Sequence, residues 1–448
     1  MSTCQRVALR VPALLIAIAA SATVAADEPP LALLDAPLTP PIARQCFHEA
    51  RTLCEADGGE LWGISLCGPI LFADPNTRAV IASHVDREGR LTEQDGVYVG
   101  TLPPEEPIAG TATRWAGVTW VMLPWPLPEE KRERLHMLAH EMFHRVQPKL
   151  GLSAGNMANS HLDTRDGRIW LQLEWRALQA ALKASDLERR QAVADALTFR
   201  AYRRSVFPEA AREERAMETL EGLAEYTGVR LSADSGKGAV KRALKNFELA
   251  KSWPTYTGSF AYVSGAAYGL LLDDANPDWR KGLAGEVAFG DLLADALSIV
   301  VPSDLKAAAG KRSARYDAEQ LIAAETEREA ASRGRLAQYR KRLVTGPILI
   351  VPIHSMHFQF DPRDIQPLDD LGRVYPKMRM SDAWGILKVD SGGALIAADW
   401  SKVSVPAPSD TSARPLTGDG WTLELKPGWR LAPGKRVGDY IVKRPSDE

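Results

Sequence analysis

The sequence predicts an α+β protein: a small antiparallel sheet, then a mainly helical part, then a separate all-β domain. Three observations carry this expectation. Short β-prone runs separated by turn residues fill the region from Leu61 to Leu123. Beyond Glu129 the apolar residues recur at helical spacing for about two hundred positions. After Gly346 strand-length runs return, with turn chemistry at Gly392-Gly393 and Asp419-Gly420.

The 448 residues exceed what one ordinary core accommodates, so more than one domain is expected. Residues 1–26 stand apart. Arg6 and Arg10 precede an apolar run from Val11 to Ala26, which ends in small residues before Asp27. This pattern reads as a secretory signal peptide, making the mature chain secreted or periplasmic. No later segment approaches the ~20 consecutive apolar residues of a spanning helix, so no integral membrane segment is expected after cleavage. Residues 27–41, rich in Pro and Ala, read as a linker, and 42–344 and 345–448 as two folded units. Formal net charge is −2, and no basic stretch is interleaved with aromatics, so nucleic acid is set aside as a partner.

A helix is expected from Ile42 to Ala56, stopping at Asp57-Gly58-Gly59. Signal cleavage removes Cys4 and leaves Cys46, Cys54 and Cys67, which in an oxidising compartment means one disulfide and one free thiol. On one helix Cys46 and Cys54 lie ~12 Å apart, beyond bonding reach, so Cys67 pairs with one or the other. Strands are expected at Leu61–Leu66, Ile70–Ala73, Arg78–Ser83, Val97–Leu102 and Arg114–Leu123, the last broken by Pro124, Pro126 and Pro128. In the next helix Leu135, Leu138, Ala139, Met142, Phe143 and Val146 form a single apolar stripe, and Pro148 stops it. Further helices are expected at Ile169–Ala184, Leu187–Val206, Ala211–Tyr226, Tyr262–Leu272 and from Asp317 to Leu343. The last unit should hold strands at Ile348–Val351, Met356–Phe360, Gly385–Val389, Ala394–Ala398 and Trp421–Leu425.

The chemistry concentrates on the helix after the sheet, which carries His140-Glu141-Met142-Phe143-His144. Histidines at i and i+4 stand one above the other on a helix face, ~5–6 Å apart between Cβ atoms. Two imidazole nitrogens can then meet one ion, and the intervening Glu141 projects toward the open position, where it can take a proton from an acidified water. His136, one turn earlier, is on the same side; a solvated side chain is the expectation, a supporting place beside the metal the alternative. Two neutral imidazoles and one carboxylate favour Zn2+ over other divalent ions.

A catalytic zinc takes three protein ligands. The segment Glu221-Gly222-Leu223-Ala224-Glu225-Tyr226 resembles the Glu-Gly-x-Ala-x-Tyr element of gluzincin metallopeptidases, of the zincin-like superfamily. The resemblance implies that Glu221 is the third ligand, that Glu225 orients a zinc histidine, and that the fold is zincin-like over about residues 60–275. Tyr262-Val263-Ser264-Gly265 is similar to the Tyr-x-x-Gly element of gluzincin aminopeptidases, which implies that the Tyr262 hydroxyl donates to the oxyanion; Tyr226 and Tyr268 compete for that role. The chain departs from the pattern in its long interval between His144 and Glu221 and in Leu220, where an Asn often stands. Independently of the resemblance, Glu214, Glu218, Glu221 and Glu225 form an acidic stripe at i+3/i+4 spacing, and such stripes are usually solvated faces. His161, Asp163, Asp166 and Glu174 are alternative ligands. The run Trp115–Leu123 could be a sheet edge that pairs with a substrate backbone.

The expected function is that of a secreted zinc metallopeptidase: His140, His144 and Glu221 on the metal, Glu141 and Tyr262 catalytic, a peptide or protein as substrate. The rival is an inactive zinc-binding or a glycan- or peptide-binding envelope protein. Trp384, Trp400, Trp421 and Trp429 could line a groove for such a ligand, although aromatics in small β domains usually make the core. His354 and His357, separated by two residues, suit no metal site on a strand.

Overall fold

The computed structural model describes residue 34, residues 36–152, residue 155, residues 157–361 and residues 364–444. The signal segment and most of the linker lie outside the described residues. The architecture is α+β, with three sheets and a mainly helical middle. Among the described residues no helix is long and apolar enough to cross a membrane.

Helix α1 (Pro40–Asp57) starts with proline in its first turn and stops where Gly58 turns left-handed at φ 56°. The run Leu61–Leu66, expected as a strand, is a turn followed by irregular chain instead. Asp57 caps Gly59 and Leu61 through its carboxylate, and Gly59 and Gly63 have positive φ, so the backbone cannot extend there. Six strands follow: β1 (Ile70–Ala73), β2 (Ala79–Ala82), β3 (Thr92–Gln94), β4 (Val97–Thr101), β5 (Thr111–Trp115) and β6 (Val118–Pro124). They form one sheet in the order β3-β4-β2-β1-β6-β5. The sheet is not wholly antiparallel, because β1 and β6 pair in parallel, Ile70 opposite Val121. The single strand expected from Arg114 to Leu123 is a hairpin turning at Ala116-Gly117, both at positive φ. That corrects the proposed edge: β6 is internal, and the outer strand is β5.

Helix α2 (Lys131–Val146) packs on the sheet through β5 and β6, burying Leu138, Ala139, Met142, Phe143 and Val146. Glu130 caps it by accepting from the Glu133 amide. The helical part continues with α3 (Arg165–Lys183), α4 (Asp186–Val206) and α5 (Ala210–Met217). A π-turn at Glu218–Gly222 joins α5 to α6 (Leu223–Ser232). Then come α7 (Gly236–Ala250), α8 (Ala261–Ala275), α9 (Phe289–Ala296), α10 (Leu305–Ser313) and α11 (Ala318–Arg340). Helices α7, α9 and α10 fall within the stretch of helical spacing but outside the individual helices expected there. Helix α6 lies against both α2 and α8. Two glycines on α8 permit that closeness: a Cβ on Gly265 would lie 2.2 Å from Gly222 Cα, and one on Gly269 would lie 2.2 Å from the Tyr226 ring.

All five strands expected after Gly346 are present, in a seven-stranded and a five-stranded sheet. Their inward side chains, from Leu349 to Val442, form a hydrophobic cluster of their own that includes Trp384 and Trp421. Those two indoles are therefore core rather than groove. Leu220 and Met157 of the helical part pack against this cluster, and the Glu105 carbonyl accepts from Ser381 Oγ at 2.6 Å.

Candidate metal centre

Helix α2 and the π-turn before α6 bring three ligand atoms together. His140 Nε2 and His144 Nε2 are 3.2 Å apart. Glu221 Oε2 lies 3.4 Å from the first and 3.5 Å from the second. A tetrahedral zinc with bonds of ~2.0–2.1 Å spaces its ligand atoms about 3.3–3.4 Å apart. The three atoms thus outline one face of a zinc tetrahedron, and the donor set, two imidazoles and a carboxylate, is one that zinc takes. His140 and Glu221 are buried, at 3% and 2% exposure.

The atoms behind the ligands engage both Nδ1 atoms and leave Nε2 as the atom that faces an ion. His140 Nδ1 is 3.3 Å from Glu225 Oε2, and a carboxylate only accepts, so this nitrogen carries a proton. His144 Nδ1 donates to Gln147 Oε1 at 3.2 Å. Gln147 is oriented in turn by its amide, which donates to the Thr219 carbonyl at 2.7 Å. Both histidines are thus in the tautomer that presents Nε2 to a metal. Arg145, next in sequence to His144, donates to the carbonyls of Leu66 and Cys67. A Cys54–Cys67 disulfide ties that segment to α1, and Cys46 is left as a buried free thiol.

Charge at the site is set by competing burial and pairing. Burial opposes the charged form of His140, but the hydrogen bonds it donates to Glu221 and Glu225 outweigh it and push the imidazole pKa up to about 10. His144 is raised in the same way, against burial, by the Glu221 charge. Burial works to raise Glu221 too, but the two imidazoles hold it far below the usual carboxylate range. Without an ion, the cluster therefore keeps protons that an ion would displace. Glu141 differs from its neighbours. Burial raises its pKa, and its Oε2 is buried with no hydrogen-bond partner. A buried carboxylate oxygen left unpaired one residue from a ligand histidine fits a group that meets a water or a substrate.

Tyr262, at the start of α8, stacks on the His140 ring with 5.6 Å between centroids, and its hydroxyl donates to Glu221 Oε2 at 2.7 Å. Its rivals lie elsewhere: Tyr226 donates to Asp273 and Tyr268 to Glu174. The alternative ligands are also occupied. Glu174 accepts from Arg203 at 2.6 Å and from Arg200 at 3.0 Å, and His161 Nε2 donates to Glu214 at 2.9 Å. Asp163 accepts from Thr255, and Asp166 pairs with Arg165. None of the four reaches the cluster among the described residues.

The acidic stripe is not a solvated face. Glu214, Glu218, Glu221 and Glu225 are all buried, the first two against Arg203, Arg204 and Arg200 of α4. Nor is His136 solvated: its side chain is 12% exposed and hydrogen-bonds Glu225 Oε1 at 2.9 Å. Sequence reasoning gave Gln147 and Asn246 no role. Gln147, three residues after His144 and the C-cap of α2, could have been found by that spacing. No local signal marks Asn246, which reaches Glu225 from α7.

No protein-family model, curated protein or solved structure matches this chain.

Proposed function

We propose that the protein is a zinc metallopeptidase of the gluzincin type. The observation that carries this reading is the triangle of His140 Nε2, His144 Nε2 and Glu221 Oε2 with sides of 3.2, 3.4 and 3.5 Å. Bound zinc supplies Lewis-acid polarisation of a carbonyl and acidification of a water. Glu141 accepts the proton of the attacking water at its free Oε2, then delivers it to the leaving nitrogen. Its raised pKa suits both halves of that transfer. Tyr262 holds Glu221 in place through its hydroxyl and stands beside the site as the donor for a developing oxyanion.

The substrate is a peptide. Among the described residues the outer strand β5 has no strand on its far side. Its two-residue turn makes Trp115–Val118 a hydrogen-bonded pair, so alternation points the main chain of Ala112 and Arg114 outward, where an extended peptide can pair. Secretion is proposed from the N-terminal segment, and the Cys54–Cys67 disulfide supports an oxidising compartment.

Elemental analysis of the purified chain tests the metal, with His144→Ala and Glu221→Ala alongside. About one zinc in the wild type, lost in both variants, is expected. Glu141→Gln should keep the zinc and lose peptide hydrolysis by at least about a hundredfold. A metal-free wild type after reconstitution refutes the reading.

A further inference from the structure

Beyond the ligands, His136 contacts the metal centre through Glu225. We propose that His136 is a positioning residue for the metal site: it fixes the Glu225 carboxylate, which in turn fixes the His140 ring. This rests on the metal reading above.

The geometry is a chain of four groups. Arg242 of α7 donates from Nη2 to His136 Nδ1 at 3.2 Å, and its other terminal nitrogen pairs with Glu133. An imidazole nitrogen that accepts is unprotonated, so the His136 proton is on Nε2. That proton points at Glu225 Oε1, 2.9 Å away. Asn246 donates to the same oxygen at 2.7 Å. With Oε1 held by two donors, Oε2 is turned to His140 Nδ1 at 3.3 Å. Each link dictates the proton position of the next, and the last one presents His140 Nε2 to the ion.

The fold keeps space for this ring. Gly228 of α6 faces it so closely that a Cβ there would lie 2.7 Å from His136 Cδ2 and 2.9 Å from the His136 carbonyl oxygen. The imidazole is therefore seated between α6 and Arg242, with little room to turn. A histidine present only to fill volume would not need both nitrogens engaged with groups of defined polarity.

The test measures zinc affinity by competition with a chromogenic chelator, together with the visible spectrum of the cobalt(II) protein. Variants are His136→Leu, His136→Gln, Glu225→Gln and the double variant His136→Leu/Glu225→Gln. Loss of a group that orients a ligand weakens metal binding by about ten- to a hundredfold, and His136→Leu is expected in that range with an altered cobalt spectrum. His136→Gln keeps an N–H donor and should recover most of the affinity. In the Glu225→Gln background, His136→Leu should cost less than about twofold more, because its effect passes through Glu225. If the leucine variant does not fold, His136→Asn, too short to reach Oε1, takes its place. Folded variants with wild-type affinity and spectrum overturn the proposal, as does a double variant whose losses multiply. A wild type without zinc overturns the metal reading and this inference together.

Discussion

Gly265→Ala puts the arrangement of the site under direct strain. The added Cβ would sit 2.2 Å from Gly222 Cα, 2.5 Å from its carbonyl oxygen and 2.6 Å from its carbonyl carbon. All three are main-chain atoms, so no side chain can swing aside. Raising 2.2 Å to the 3.4 Å where ordinary contact begins separates α8 from the π-turn by about 1.2 Å. Overpacking of this kind costs about 1–3 kcal/mol. The displacement also reaches the chemistry, because α8 carries Tyr262 and the π-turn carries Glu221. Their 2.7 Å hydrogen bond would stretch by up to about 1.2 Å, beyond hydrogen-bond length. A bond to a charged acceptor is worth about 1.5–3 kcal/mol, so a total loss of about 2.5–6 kcal/mol is expected. Urea unfolding of zinc-free protein reads the stability, and chelator competition reads the zinc affinity, which should fall as Glu221 loses its donor. A Gly265→Ala chain with wild-type midpoint and wild-type affinity would refute the close approach of the two helices.

Two further outcomes follow from the same coordinates. Gly334→Ala, inside α11 with nothing within 4 Å of the added Cβ, should stabilise the protein by about 0.5–1 kcal/mol, and a lower urea midpoint would contradict that. Zinc binding should release protons. With its pKa raised to about 10, zinc-free His140 is protonated at pH 7, the ion must displace that proton, and affinity should fall as pH falls. Titration calorimetry at pH 7 in two buffers of different ionisation enthalpy should show at least about one proton released per zinc, and buffer-independent heats would show that the ring carries none.

What the sequence disclosed depended on how local the cause was. His140, Glu141 and His144 were legible because helix geometry alone puts them on adjoining faces of α2, beside an apolar stripe that the structure buries. The disulfide was half legible: the helix excluded Cys46–Cys54, but only the turns at Glu60–Gly63 decide that Cys67 meets Cys54. Contacts made across the fold were not legible. Asn246 and Arg242 approach from α7, a helix whose opening Gly236-Lys237-Gly238 reads as a turn and whose start depends on the Ser235 cap. The hairpin at Ala116-Gly117 was missed because apolar residues flank it on both sides, which conceals a two-residue turn inside a longer run.

The acidic stripe misled for a reason that also explains the site. Residues 214, 218, 221 and 225 would share one face of a regular α-helix, since steps of four, three and four residues return close to the same direction. The π-turn at Glu218–Gly222 changes this. It takes one residue more than an α-turn, and one residue is a rotation of about 100°. The stripe is divided there. Glu214 and Glu218 face α4, where Arg200, Arg203 and Arg204 neutralise them. Glu221 and Glu225 face α2, where the partners are histidines. Three arginines against three carboxylates (Glu174 being the third) make the first half a closed set of buried ion pairs, a rigid anchor for the helix. The second half meets no arginine. Besides the neutral donors Tyr262 and Asn246, its carboxylates face imidazoles, and imidazoles can give up their protons to an ion. A single extra residue in one turn thus separates carboxylates committed to structure from carboxylates available to a metal.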